Sequence, residues 1–204
     1  MSTAWAVRED GVRLPKQISG HPGLELCNTR AGWRESAGWE GEYLRGYDEL
    51  ALIAGRTDLI NRDQVDGLRR RARRHPEDAA KEVGRAVAIR ADLYALFTGA
   101  ASRRAMARVA DAVQVARSRQ VLDLAGSLAV WRLERPERLA DALDALLIAS
   151  GDLLTGGEAD RVVACPGRHC GWLFVNASGR RRWCQMAVCG NRAKQASFQA
   201  RHLD

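Results

Sequence analysis

The 204-residue chain lacks the features that define several protein classes. No apolar run approaches the length of a membrane span, and charges stand where the apolar core of a signal peptide would lie. The four histidines form no metal-ligand spacing with carboxylates, and the sequence has neither a glycine-rich phosphate loop nor a nucleophile elbow. We therefore expect a cytoplasmic protein that has no membrane partner and is not an enzyme.

Acidic residues are scarce at the C-terminal end of the chain. From Arg161 onward there are eight Lys and Arg residues against one acid, Asp204, whereas the preceding 160 residues hold 24 of each sign. The net charge of +7 is thus carried entirely by this last segment. Because a compact cationic surface attracts polyanions, double-stranded DNA is the expected partner.

Four of the five cysteines lie in the same segment with the spacing C-x4-C-x13-C-x4-C: Cys165, Cys170, Cys184 and Cys189. Two cysteine pairs joined by a loop that turns back can place four thiolates on a tetrahedron, which is the closed geometry of structural zinc. We predict one Zn²⁺ held by all four. Such a site leaves no open position on the metal for catalysis.

Three other uses of four cysteines compete with structural zinc: disulfides, an iron–sulfur cluster and redox switching. A reducing compartment favours metal over disulfides, and a basic hairpin suits zinc better than a cluster. His169 adjoins Cys170, so simultaneous ligation is awkward, and we expect it to lie beside the site or face solvent. Cys27 stands apart and is expected to be a small buried apolar residue.

The residues between the cysteines predict a knuckle, a β-hairpin and a helix. Pro166 and Gly167 form a turn dipeptide, and in GWLFVNASGRRRW two apolar stretches flank a polar turn. After Gly190 the residues favour a helix. The aromatic side chains of this segment could stack on bases, but they are better explained as a small core.

Candidate nucleic-acid contacts fall on the predicted hairpin and the start of the helix. They are Arg180, Arg181, Arg182, Asn191, Arg192 and Lys194. Free amides and the dipole at a helix N-terminus favour phosphate, and an asparagine can read a base edge or cap a helix. The alternative for the arginine run is a solvated face.

Residues 1–156 are predicted to form a mainly helical domain with a possible small sheet. Asn61 to Gln64 has the spacing of a capping box, helices are expected over 76–97 and 103–117, and another begins near Pro136. Residues 121–133 are predicted to form a short strand or hairpin.

Two further short segments, 12–17 and 24–28, could pair as strands. The natural linker is 155–162, so that residues 157–204 form the second domain. The arginine cluster from Arg69 to Arg74 is interpreted as a solvated helix face.

Three polar residues in apolar segments, Asn28, Thr29 and Arg90, could line a pocket for a small-molecule effector. More often such groups cap helices or pair internally.

The segment from Cys165 to Arg201 resembles the zinc finger named for its Cys-Gly-Asn-Arg tetrad, which here is 189–192. Asn176 departs from the aspartate more common in that family and leaves the ligands untouched. Upstream, LELCNTRAGW (24–33) and IRADLYALF (89–97) are similar to the ABATE domain that usually precedes this finger. The resemblance implies a stress-induced bacterial transcription regulator.

Three functional hypotheses follow. In the first, the finger binds duplex DNA while the helical domain senses an effector or forms a homodimer that matches paired half-sites. In the second, the zinc module is an adaptor that docks an acidic protein. In the third, oxidation of the cysteines ejects zinc and the protein is a redox sensor.

Overall fold

A computed structural model describes residues 5–35, 41–57, 59–134 and 137–201 of the chain. The protein is mainly α. Its helices are α1 (Tyr47–Ala54), α2 (Arg62–Arg74), α3 (Pro76–Phe97), α4 (Arg103–Arg117), α5 (Ala140–Thr155) and α6 (Asn191–Arg201). Within the described ranges, no helix is both long and apolar enough to cross a membrane.

In the described residues, six short strands form three antiparallel pairs. These are β1 (Ala6–Glu9) with β2 (Val12–Pro15), β3 (Gln120–Ala125) with β4 (Leu128–Leu133), and β5 (Val162–Ala164) with β6 (Leu173–Val175). The hairpin predicted over 121–133 is therefore confirmed as β3 and β4. The predicted pairing of 12–17 with 24–28 is wrong. Asp10 and Gly11 adopt positive φ, which turns β2 back onto β1, while Cys27–Thr29 is a 3₁₀ turn.

Local sequence signals set the bounds of three helices. The Asn61 side chain accepts the Gln64 N–H while the Gln64 side chain accepts the Asn61 N–H, so the predicted capping box is present at the start of α2. Helices α3 and α4 span the predicted residues. Gly99, at φ +71°, follows the end of α3, where a side chain would be strained.

Helix α5 is the centre of the main core. Nearly all of its side chains are buried, and it packs against α1, α4 and the 3₁₀ turn Pro22–Leu24. The helix begins at Ala140, and the predicted start near Pro136 lies outside the described residues. Sequence patterns did not single out α1, whose YDELALIA segment is too short for a clear helical period.

Alternate residues from Trp172 to Val175 enter two different cores. Leu173 and Val175 pack into the main core with the helices, whereas Trp172 and Phe174 join a smaller core that contains the four clustered cysteines. This alternation follows from the two-residue period of an extended chain. The C-terminal segment from residue 161, called the finger below, is therefore packed onto the preceding helical region.

Candidate metal centre and cationic groove

The four clustered cysteine sulfurs form a compact buried site. The Sγ atoms all lie within 4.8 Å of one another; they belong to Cys165, Cys170, Cys184 and Cys189. Cys184 Sγ is 3.5 Å from both Cys170 Sγ and Cys189 Sγ. Tetrahedral zinc with Zn–S bonds of about 2.3 Å separates its sulfurs by about 3.8 Å, whereas a disulfide requires about 2.05 Å. The geometry fits a four-coordinate metal and leaves all four thiols free of disulfides.

The backbone around Cys165 and Cys170 forms a tight knuckle. The Cys170 N–H donates to Gly167 O at 3.1 Å, and His169 adopts positive φ to complete the turn. A Cβ on Gly167 would lie 2.9 Å from Cys189 Sγ, so only glycine fits beside the sulfurs. His169 is outside the sulfur cluster, as predicted, and its Nδ1 lies 2.8 Å from Glu35 Oε1.

The second cysteine pair reaches the site by a different route from the one predicted. We expected a hairpin between the two apolar stretches of 171–183, but β6 pairs with β5. Residues 180–184, called the return segment below, lead back to the other cysteines without strand pairing. Strand β5 competes successfully because its apolar Val162 fills the main core beside β6. Cys189 lies in a single π-helical turn, Met186–Gly190, that leads into α6, so the predicted position of this cysteine near the helix start is confirmed.

The sulfur cluster is electrostatically suited to a cation. Hydrogen bonds from the Cys170 thiol and its neighbours hold the pKa of Cys165 well below its usual range. The same contacts, led by the one with Cys165, raise the pKa of Cys184. Without a cation, the site cannot hold four thiolates together, because each ionised sulfur opposes ionisation of the next. A divalent ion removes this conflict, and four thiolates are the preferred ligands of zinc.

Aromatic side chains form the floor of the metal centre. The Trp172 ring lies 6.5 Å from that of Trp5 and 5.9 Å from that of Tyr43, and Phe174 is buried in the same cluster. We therefore confirm the interpretation of Trp172 and Phe174 as core residues. Trp183 is half-buried against this cluster.

Hydrogen bonds join the finger to the helical region along β6 and the knuckle. Asn28 clamps both backbone groups of Leu173: its Nδ2 donates to Leu173 O at 2.9 Å, and its Oδ1 accepts the Leu173 N–H at 2.7 Å. The Gly32 N–H donates to Cys170 O at 2.7 Å, and the Tyr94 hydroxyl donates to Gly171 O at 2.9 Å. A metal ligand and its neighbours are thus held directly by residues of the helical region.

These contacts correct the expectation that Asn28, Thr29 and Arg90 line an effector pocket. All three are buried, and the Arg90 guanidinium donates to Thr29 Oγ1 at 2.6 Å and to both carboxylate oxygens of Glu42 at 2.6–2.7 Å. Internal pairing, the alternative interpretation, accounts for their polarity. Cys27 is fully buried as expected, and desolvation raises the pKa of its thiol to about 12.

An open groove of about 730 Å³ runs between the return segment and α6. Two of the predicted nucleic-acid contacts, Arg182 and Lys194, lie on it together with Arg201. The groove is also lined by Trp183, Phe198 and several uncharged polar residues. No acid is present among the described lining residues. Phe198 and Arg201 follow Lys194 at helical spacing, four and seven residues on, which is the signal that sequence reasoning missed.

The other predicted contacts lie apart from this groove. Arg181 is turned inward: it donates to Ile18 O at 2.7 Å and to the carbonyls of Trp183 and Cys184, and its guanidinium covers the Phe174 ring at 4.3 Å. Arg181 is therefore a structural tie between the finger and the helical region. Residues 180–184 do not form a strand, so their side chains do not follow the outward alternation that was expected.

The three remaining predicted contacts are exposed. The Arg192 guanidinium stacks on the Trp5 ring at 4.2 Å, and Arg180 follows the polar turn. Asn191 is the first residue of α6, and its Nδ2 donates back to Ala187 O at 3.3 Å. Its side chain therefore does not cap the helix in the usual way.

The basic side chains of the finger differ from those of the helical region in their partners. Across the described part of the chain, neither the arginines of the finger nor Lys194 form an ion pair with a carboxylate. By contrast, in the arginine cluster of α2, Arg69 bonds Asp10 at 2.6 Å and Asp48 at 3.1 Å. The groove thus presents cations that remain available to a ligand.

Two known protein families match the chain, one after the other in N-to-C order. Residues 161–202 match the sequence model of the CGNR zinc finger. Residues 20–157 match that of ABATE, described as "Putative stress-induced transcription regulator". No curated protein matches the chain.

Proposed function

Because the chain belongs to the ABATE family and ends in a CGNR zinc finger, we propose that it is a DNA-binding transcription regulator of the cytoplasm. The observation that carries the proposal is the cationic groove of the finger, in which Arg182, Lys194 and Arg201 have no carboxylate partner in the described residues. Metal binding fixes this surface, since the groove is built on the segment that joins Cys184 and Cys189 to α6.

The charge of the groove supports a phosphate ligand. The finger carries eight basic residues and one acid, and zinc with four thiolates contributes about −2, so a net charge of about +5 remains. Cations spaced along a groove can follow a phosphate backbone, and each contact releases condensed counterions when DNA binds. Trp183 and Phe198 add apolar surface that can contact sugars or bases.

The closed metal centre supports a structural role. Four sulfur ligands leave zinc no vacant position for water or substrate, so we propose that the chain has no catalytic activity of its own. The burial of all four sulfurs also limits the access of oxidants, which weighs against the redox-sensor hypothesis.

We propose that the helical region regulates the finger through the junction at β6. A small-molecule effector would require a site other than Asn28, Thr29 and Arg90. One candidate is the groove between α3, α4 and α5, which has an apolar floor of Leu143 and Leu147 and an ion pair between Arg108 and Asp92 at its rim.

A salt titration of DNA binding tests the proposal. The zinc-loaded full chain is titrated into fluorescent mixed-sequence duplex at several salt concentrations, and anisotropy gives the affinity. We expect a steep linear fall of log affinity with log salt. Lys194→Ala and Arg182→Ala should each lower the slope by about 0.9, the value for one phosphate contact.

Arg85→Ala is the matched control, because Arg85 is an exposed arginine of the helical region paired with Glu82 at 2.7 Å. It should leave the slope unchanged. Absence of DNA binding at low salt, with capture of an acidic protein instead, would favour the adaptor hypothesis, for which the aromatic residues of the groove also provide a surface. Recovery of bound genomic fragments by immunoprecipitation would then identify the regulated genes.

A further inference from the structure

The β3–β4 hairpin exposes an apolar face. Its register places Leu122 opposite Trp131 and Leu124 opposite Ala129, so these four side chains share one face. Leu122, Leu124 and Trp131 are 62%, 69% and 57% exposed. Such large side chains in one exposed cluster are unusual for a surface that faces only water.

The rest of the chain does not explain this exposure. Only the base of the hairpin, at Leu133, enters the main core, and in the described ranges neither outer strand edge pairs with another strand. An isolated two-stranded hairpin is marginally stable in water, so six-residue strands with a large apolar face gain stability by being covered.

We propose that this face docks against the same face of a second copy of the chain, forming a two-fold symmetric dimer. The four apolar side chains expose roughly 400 Å² per copy, judged from the usual areas of leucine and aromatic side chains. Two copies would bury about 800 Å², which corresponds to a weak, reversible complex and not to an obligate one.

Charge also favours a second copy. The apolar face carries no charged side chain, while Asp123 and Arg132 lie on the opposite face, 3.5 Å apart, and pair within the hairpin. Self-docking of a neutral face meets no like-charge repulsion, although the chain as a whole is cationic. An acidic or basic partner protein would find no complementary charge on this face.

The dimer goes beyond the proposed function and is tested without DNA. Sedimentation equilibrium of the zinc-loaded chain over a wide range of concentration should show reversible association from 22.5 kDa to twice that mass. Leu124→Glu should leave a monomer with an unchanged far-ultraviolet circular dichroism spectrum, because the side chain is exposed and its replacement disturbs no core.

Met106→Glu is the matched control, since it adds the same charge at a half-exposed apolar position on α4, and it should dimerise like the unmodified chain. Trp131→Glu is a second variant on the proposed face and should also be monomeric. A monomer at all concentrations, or a dimer that survives both hairpin substitutions, would overturn the proposal. A monomer that co-floats with phosphatidylcholine vesicles through the hairpin would also overturn it, because lipid and not a second copy would then cover the apolar face.

Discussion

The helical region and the finger use arginine in opposite ways. Among the described residues of the helical region, ten arginines lie within ion-pair distance of a carboxylate: Arg56, Arg62, Arg69, Arg85, Arg90, Arg108, Arg117, Arg119, Arg132 and Arg138. In the described finger no arginine does. The first region is neutral and pairs its charges internally, whereas the arginines of the second have no carboxylate partner among the described residues. The distribution of acids, more than the number of arginines, distinguishes the two surfaces.

Removing the metal should have the largest effect on this contrast. Cys184→Ser leaves three sulfur ligands, and structural zinc contributes on the order of 10 kcal/mol to the folding of a finger. We expect loss of bound zinc and of DNA binding, with helical circular dichroism retained but a lower thermal midpoint. Zinc per chain, measured by mass spectrometry of the purified protein, should fall from one to near zero.

Cys27→Ala provides the control for that experiment, because Cys27 is a buried cysteine outside the sulfur cluster. It should keep one zinc per chain. Equal zinc loss in both variants would contradict the assignment of the four ligands.

The junction between the two regions should be weakened next most strongly by Asn28→Ala. The substitution leaves the buried N–H and C=O of Leu173 without partners, at a cost of about 2–4 kcal/mol. Urea denaturation measures this loss. Asn61→Ala, which removes only the cap of α2, should cost about 1 kcal/mol. A smaller loss at Asn28 than at Asn61 would mean that the two regions are joined mainly by apolar packing.

Adjacent arginines of the finger should then respond differently. Arg181→Ala removes hydrogen bonds to three carbonyls and should lower the free energy of unfolding by about 1–3 kcal/mol. The salt slope of DNA binding should stay the same because its guanidinium faces inward. Arg182→Ala should lower the salt slope of DNA binding and leave the free energy of unfolding unchanged. If Arg181→Ala lowers the slope while stability is unchanged, the guanidinium reaches DNA and the inward contacts contribute little.

The smallest expected effect is a pH dependence in the helical region. Burial raises the pKa of Asp144 to about 6 from 3.8, although Arg138 lies nearby. The folded state therefore holds a proton that the unfolded state loses between pH 4 and 6, so stability falls as pH rises through this window. The change should be of order 1 kcal/mol. Thermal melts of Asp144→Asn should not show this fall in stability between pH 4 and 6. Parallel pH profiles of stability for the two proteins would contradict the assignment of the fall to Asp144.

Sequence patterns predicted the elements whose causes are local. The capping residues around Asn61, the proline at the start of α3 and Gly99 after its end are near-neighbour signals, so the bounds of α3 and α4 could be predicted. The clustering of the four cysteines was also predictable, because their spacing alone restricts the geometry. The pairing of β5 with β6 could not be predicted in this way, since it depends on which strand packs its apolar side chains into the main core.

The roles of single polar residues were the hardest to predict. Asn28 and Arg181 look like a pocket residue and a phosphate contact in the sequence, yet both bond carbonyls distant in the chain. The sequence carries no record of such partners, because hydrogen bonds between distant segments follow from packing. Lys194 and Arg182, by contrast, lie on the predicted surface since nothing buries them.

The alternation along β6 leads us to expect that the stability of the whole chain depends on the metal centre. Loss of the metal would loosen Trp172 and Phe174 in the smaller core, and with them Leu173 and Val175, so we expect the apolar underside of the helices to become more accessible to proteases. Under the proposed function, the abundance of the protein in a cell would then follow the supply of the metal held by the four cysteines.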